Sequence, residues 1–216
     1  MLLTMTNSQP GSAQRAAGMA MLAAPVFVFL YGLVRLLGGR QGPGFGWTFG
    51  HLAFLVGLAL FALVVLELRR QVTVGGGRWQ LYGTVAAAVA GIGLLAQFGQ
   101  ILIDLMVGLQ ATTKTAMTTS FHQVDAIPGV VPAVYTVGPV LFYVGLLALV
   151  GLLAVRWPSR LTVASAVLVG IGVILPPIGL NLIPIAAVVL LVGLAVPGVR
   201  LLRGDAPTAA PRVAVR

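Results

Sequence analysis

The sequence predicts an all-α polytopic membrane protein, a bundle of six transmembrane helices with both termini in the cytoplasm. Three observations carry that prediction. Of 216 residues, 59% are hydrophobic and only 8% are charged, which leaves too little polar surface to cover a soluble globule. Charge-free intervals recur at about the 20 residues needed to cross a hydrocarbon core at about 1.5 Å rise each. The 13 basic residues stand singly or in pairs between apolar runs, so a net charge of +9 reads as a topology signal and argues against a nucleic-acid partner.

The first span is placed at 19–37, after a cytoplasmic tail of residues 1–18 that carries Arg15. Its apolar run has full crossing length and no small-residue cleavage site follows it, so it reads as a signal anchor. The second span, 45–66, begins just before Trp47 and admits one ionisable residue, His51. The third, 81–109, carries Gln97, Gln100 and Asp104 at spacings of three and four, which puts all of them on one helical face. An outer loop follows over about 110–132, with Lys114, several threonines, His122 and Asp125. It is long for a compact membrane protein and apolar enough to fold back over the bundle.

The fourth span is placed at 134–155. The fifth and sixth, 161–180 and 182–202, share one apolar stretch between Arg160 and Arg200, roughly twice a crossing length, so it must fold as a hairpin. The turn belongs near Pro176, Pro177, Gly179, Asn181 and Pro184, where helix continuation is least favourable. Residues 203–216, rich in Ala, Pro and Arg, read as a disordered cytoplasmic tail.

Orientation follows from the basic residues. Arg15, Arg69, Arg70, Arg78, Arg156, Arg160, Arg200, Arg203, Arg212 and Arg216 fall on one side of the predicted membrane, and only Arg35, Arg40 and Lys114 on the other. The positive-inside rule then puts both termini inside. Trp79 and Trp157 would sit at the inner interface and Trp47 at the outer one, as aromatic belt residues do. The scarcity of Lys beside Arg, with abundant Ala, Gly and Val, points to a high-GC bacterium and hence to a bacterial cytoplasmic membrane.

An internal duplication is also readable. Gly50-His51-Leu52-Ala53-Phe54-Leu55-Val56-Gly57-Leu58 aligns with Gly138-Pro139-Val140-Leu141-Phe142-Tyr143-Val144-Gly145-Leu146, and the clusters at Gly91 and Gly93 align with Gly170 and Gly172. Spans two and three would then be related to spans four and five by a two-fold axis along the membrane normal.

Several chemistries are excluded. The chain has no cysteine, so it holds no disulfide, thiolate nucleophile, iron–sulfur cluster or cysteine zinc site. It lacks a pair of intraspan histidines for haem, a selectivity-filter sequence and any segment large enough to bind nucleotide. No cofactor is called for. What remains is the small set of polar residues near the outer membrane face, each of which is costly at that depth unless it has a partner or a task.

His51, Gln97, Gln100, Asp104, Tyr135 and Asn181 form the leading site, an outward-facing polar vestibule of a small permease-like carrier or of an accessory membrane subunit. The competing constellation is His51, Asp104, His122 and Asp125. Two imidazoles and two carboxylates on the outer side could hold a divalent ion such as Zn²⁺ and activate water, as a membrane-embedded hydrolase or transferase at the outer leaflet would require. No HExxH or paired histidine at helical spacing accompanies it. The partners expected are membrane lipids, and the glycine-rich helix faces also suit a structural scaffold packed against another membrane protein or a second copy of this chain.

Overall fold

The computed structural model describes residues 11–38 and 42–205. Among them are seven α-helices: α1 (Ser12–Leu37), α2 (Phe45–Thr73), α3 (Arg78–Gln110), α4 (Lys114–Asp125), α5 (Gly138–Arg156), α6 (Arg160–Ile178) and α7 (Ile183–Arg203). Six segments are long and apolar enough to cross a membrane, α4 being the exception, so the chain is a multi-pass membrane protein. Arg40, Arg212 and Arg216, together with residues 1–10 and 206–216 of the expected tails, lie outside the described residues.

Several helices run past their apolar stretches. α1 begins at Ser12 rather than at 19, because its polar first turns are not free tail: they lie against α7, where a Cβ on Gly18 would come within 2.9 Å of the Gly198 carbonyl oxygen. α2 continues beyond 66 to Thr73, since Glu67 is paired within the helix by Arg70 and Gln71. The chain then reverses through Gly75, Gly76 and Gly77, all in the left-handed region, with φ of 83°, 71° and 65°. A side chain with a Cβ would be strained at each.

The segment read as an outer loop contains α4. Thr113 caps it by accepting from the Ala116 amide at 3.1 Å, and Met117, Phe121 and Val124 recur on one side at helical spacing. Its threonines mask this short stripe in the composition. Met117 is buried, so α4 lies on the bundle and does not hang free. A π-helical turn over Val131–Val137 then leads into α5. At the other hairpin α6 ends at Ile178, a single tight turn spans Leu180–Leu182, and α7 begins at once. Gly204, with φ of 81°, closes α7 in the left-handed C-terminal arrangement.

The six spans form a ring in chain order, closed by α7 against α1 and pinched where α2 meets α5. Close approach of α3 and α5 is set by glycine. A Cβ on Gly93 would run into the Phe142 backbone, and one on Gly145 into the Ala90 backbone. The ring does not show the expected two-fold axis. Such an axis would carry the α3–α5 contact onto an α6–α2 contact, and α6 and α2 are not packed neighbours. Of the aligned glycines, Gly50, Gly57, Gly93, Gly138, Gly145 and Gly172 stand at close helix approaches, whereas Gly91 meets open space.

At mid-height the core is apolar apart from the buried amide of Gln97. Leu58, Phe61 and Val64 of α2, Ile101 of α3 and Leu146 and Leu149 of α5 are fully buried, with Phe61 edge-on to Phe142 at 5.2 Å between centroids. Two polar layers flank this plug. One lies toward the end that carries α4, and the other, built on Glu67 and Gln71, lies toward the end that carries the chain termini.

Candidate functional site at the α4 end

α2 and α3 are antiparallel neighbours, and His51 and Asp104 each lie about two turns in from the same end of the pair. Equal depth on facing helices makes them meet. His51 Nε2 stands 3.6 Å from Asp104 Oδ2, and both residues are buried, at 3% and 6% exposure. The other carboxylate oxygen, Oδ1, accepts from the Tyr135 hydroxyl at 2.8 Å. Tyr135 comes from the π-helical turn before α5, where the widened backbone carries its side chain toward α3.

The second imidazole nitrogen fixes the proton arrangement. His51 Nδ1 is 2.7 Å from the Trp47 carbonyl oxygen, one turn back on α2. A carbonyl only accepts, so Nδ1 carries a hydrogen and donates it. The facing pair of Nε2 and Asp104 Oδ2 then has room for one further proton between them. With that proton the pair is neutral overall, either as imidazolium and carboxylate or as imidazole and carboxylic acid. Without it, a lone pair on Nε2 faces a carboxylate and the pair carries one negative charge. Two buried groups, an imidazole and a carboxyl, thus face one another between α2 and α3.

Aromatic packing holds the imidazole in place. Trp47 stacks on His51 at 4.1 Å between centroids, Tyr31 of α1 meets it edge-on at 5.3 Å, and Tyr31 in turn stacks on Phe54. Trp47 also donates from Nε1 to the Asp104 main-chain oxygen at 3.0 Å, which ties α2 to α3 at this level. Gly108 makes that possible: a Cβ there would occupy the space of the Trp47 indole. From α4, Phe121 packs against Trp47 at 6.0 Å. Trp47 was expected at the membrane interface as a belt residue; the structure gives it this second role.

His51 is also part of the floor of a cavity of about 780 Å³, whose lining includes Tyr31, Arg35, Trp47, Lys114, Phe121 and Asn181. The vestibule drawn from the sequence is therefore in two parts. His51 and Asn181 line the open cavity, whereas the buried Asp104 and the half-buried Tyr135 stand behind His51. Gln97 and Gln100 line neither part. Gln97 is buried about two turns deeper on α3, with no hydrogen-bond partner on its amide nitrogen, and Gln100 is half-buried.

The four-residue metal constellation is not assembled. His122 and Asp125 are exposed on α4, because Met117, Phe121 and Val124 take the bundle-facing stripe and helical periodicity turns positions 122 and 125 outward. Among the described residues no group of three or more His, Cys, Asp and Glu side chains comes together to hold a metal ion.

Sequence reasoning missed four contributors: Tyr31, Arg35, Met117 and Phe121. Tyr31 and Arg35 are one turn apart on α1, a spacing that was legible, but nothing in the sequence says that α1 flanks α2 at that height. Also missed was the opposite polar layer. There Glu67 accepts from Arg70 Nε at 2.8 Å, from Arg70 Nη2 at 2.7 Å and from Gln71 at 3.0 Å. Nearby, Arg156 donates to the Val74 carbonyl oxygen and lies over both Trp79 and Trp157, at 5.1 and 5.3 Å from the ring centroids. Comparison with protein-family models, with curated proteins and with solved structures finds no match to this chain.

Proposed function

We propose that this protein is a small proton-linked carrier of the bacterial cytoplasmic membrane, with both termini inside and the cavity facing outward. The observation that carries this reading is the buried His51–Asp104 pair, with His51 in the wall of an open cavity and Asp104 directly behind it. An ionisable pair inside a membrane span is expensive, and in carriers such pairs lie where a proton or substrate passes. The groups that face the pair come from several neighbouring elements: Tyr31 and Arg35 from α1, Lys114 from α4, and Tyr135 ahead of α5.

A cavity at one end of the bundle only supports an alternating-access reading. The cavity lies at the α4 end, whereas toward the termini the route is filled by the Leu58, Phe61 and Ile101 plug, and the pocket lined by Gln71, Trp157, Thr162 and Ser165 holds only about 20 Å³. Occupancy of the pair changes its net charge by one, so protonation and ligand charge influence one another through linkage.

The test is reconstitution. Proteoliposomes loaded with a pH-sensitive dye and challenged with pools of small solutes acidify inside with wild-type protein, and fail to do so with Asp104→Asn or His51→Gln. Wild-type liposomes that respond to no pool, or variants that respond as wild type, overturn the reading.

A further inference from the structure

We propose that the cavity at the α4 end binds the oxyanion head of an amphiphile, a phosphate or carboxylate on an apolar body; this rests on the carrier reading only in sharing its cavity. Two cationic side chains, Arg35 from α1 and Lys114 from α4, reach the lining from different elements, and among the described residues the lining contains no Asp or Glu. The buried acid, Asp104, is not part of that lining and stands behind His51. An anion therefore meets positive potential without a facing carboxylate.

The main chain adds to this field. α2 is 29 residues long and begins at the cavity wall, where Gly44, Phe45, Gly46 and Trp47 all line the space. Its N-cap, Gly44, supplies no side-chain cap, so the first amides of the helix and the positive end of its dipole are presented to whatever occupies the cavity. This feature would be no site alone. Here it converges with two cations on one volume.

Beside His51, Thr118 and Asn181, the remaining side chains of the wall are apolar and aromatic. Tyr31, Val34, Phe45, Met117 and Phe121 offer surface for a hydrocarbon or ring, and about 780 Å³ is within the range of small-molecule pockets. A bare inorganic anion would leave most of that surface unused. A charged head near Arg35 and Lys114 with its body against the aromatics matches both halves of the lining.

The experiment uses the whole chain in phosphatidylcholine nanodiscs, titrated with octyl phosphate and read by tryptophan emission. Trp47 lines the cavity, while Trp79 and Trp157 pack with Arg156 at the far end, so Trp47 is the local reporter. Expected is a saturable change with wild type, an affinity about tenfold weaker in Arg35→Gln and in Lys114→Gln as each loses a charge-assisted contact, and no saturation in the double variant. Octyl glucoside, which has the same chain without charge, gives no saturable change. Both cations are exposed, and unchanged thermal unfolding of the variants establishes that they remain folded.

Equal binding of the neutral amphiphile, wild-type affinity in the double variant, or no saturable signal at all overturns the proposal. A second arm separates two sources of the same chemistry. If phosphatidylglycerol in the disc removes the octyl phosphate response, the anion is a lipid headgroup; if the response persists, it is a solute entering from water. Charge-dependent binding with no proton-linked flux would leave the anion site standing and remove the carrier, whereas proton-linked flux with charge-independent binding would do the reverse.

Discussion

Replacing Asp104 by alanine and by asparagine separates the charge of the buried pair from its hydrogen bonding. At 3.6 Å, opposite unit charges attract by about 5 kcal/mol at an effective dielectric constant of about 20, before desolvation is counted. Taking both groups out of water offsets much of that, so the intact pair adds little net stability, yet removing one partner is severe because the other is left buried alone. Asp104→Ala strips His51 Nε2 of its neighbour and leaves the Tyr135 hydroxyl without an acceptor, and we expect a loss of about 3–5 kcal/mol. Asp104→Asn is different. Its carbonyl oxygen still accepts from Tyr135 and its amide can donate to a neutral His51, so the expected loss is about 1 kcal/mol. The assay is equilibrium unfolding of the purified protein in mixed micelles, with a His51→Ala and Asp104→Ala double-mutant cycle giving a coupling of about 1–3 kcal/mol. A coupling indistinguishable from zero, or equal losses for Asn and Ala, would refute the His51–Asp104 pairing.

Glycine placement gives a second test. Gly93→Ala and Gly145→Ala press a methyl group into the backbone of the facing helix and should each destabilise by about 1–3 kcal/mol, whereas Gly91→Ala and Gly151→Ala meet open space and should be neutral or slightly stabilising on the same unfolding assay. Gly108→Ala should displace the indole of Trp47, seen as a shift in tryptophan emission together with weakened His51–Asp104 coupling. At the opposite end, Glu67→Ala leaves Arg70 and Gln71 without their acceptor and should lower stability by about 1–3 kcal/mol, with no effect on ligand binding at the α4 end. Orientation is read by labelling single cysteines in this cysteine-free sequence: Thr118→Cys should react with an impermeant maleimide on intact cells and Gln80→Cys only after permeabilisation, and the reverse pattern would invert the topology.

The sequence by itself determined the class and the count of crossings, because bilayer thickness sets a length that every span must meet and charged residues have few places to stand. The same constraint made His51 and Asp104 legible as partners, since rare polar residues at equal depth on adjacent antiparallel helices have few other neighbours. It also made the turn at Leu180–Leu182 readable, through its Pro, Gly and Asn cluster. Only the tertiary structure decided the rest. Which helix faces which, and at what rotation, depends on small-residue contacts such as Gly93 on Phe142, and that rotation is what brings Tyr31 and Trp47 to His51, leaves Gln97 and Gln100 off the cavity, and turns His122 and Asp125 outward. Along one helix the spacing of polar residues is a local property of the chain. Their convergence with residues of other helices is a property of packing, and a sequence that is apolar nearly everywhere carries little patterning from which packing can be read.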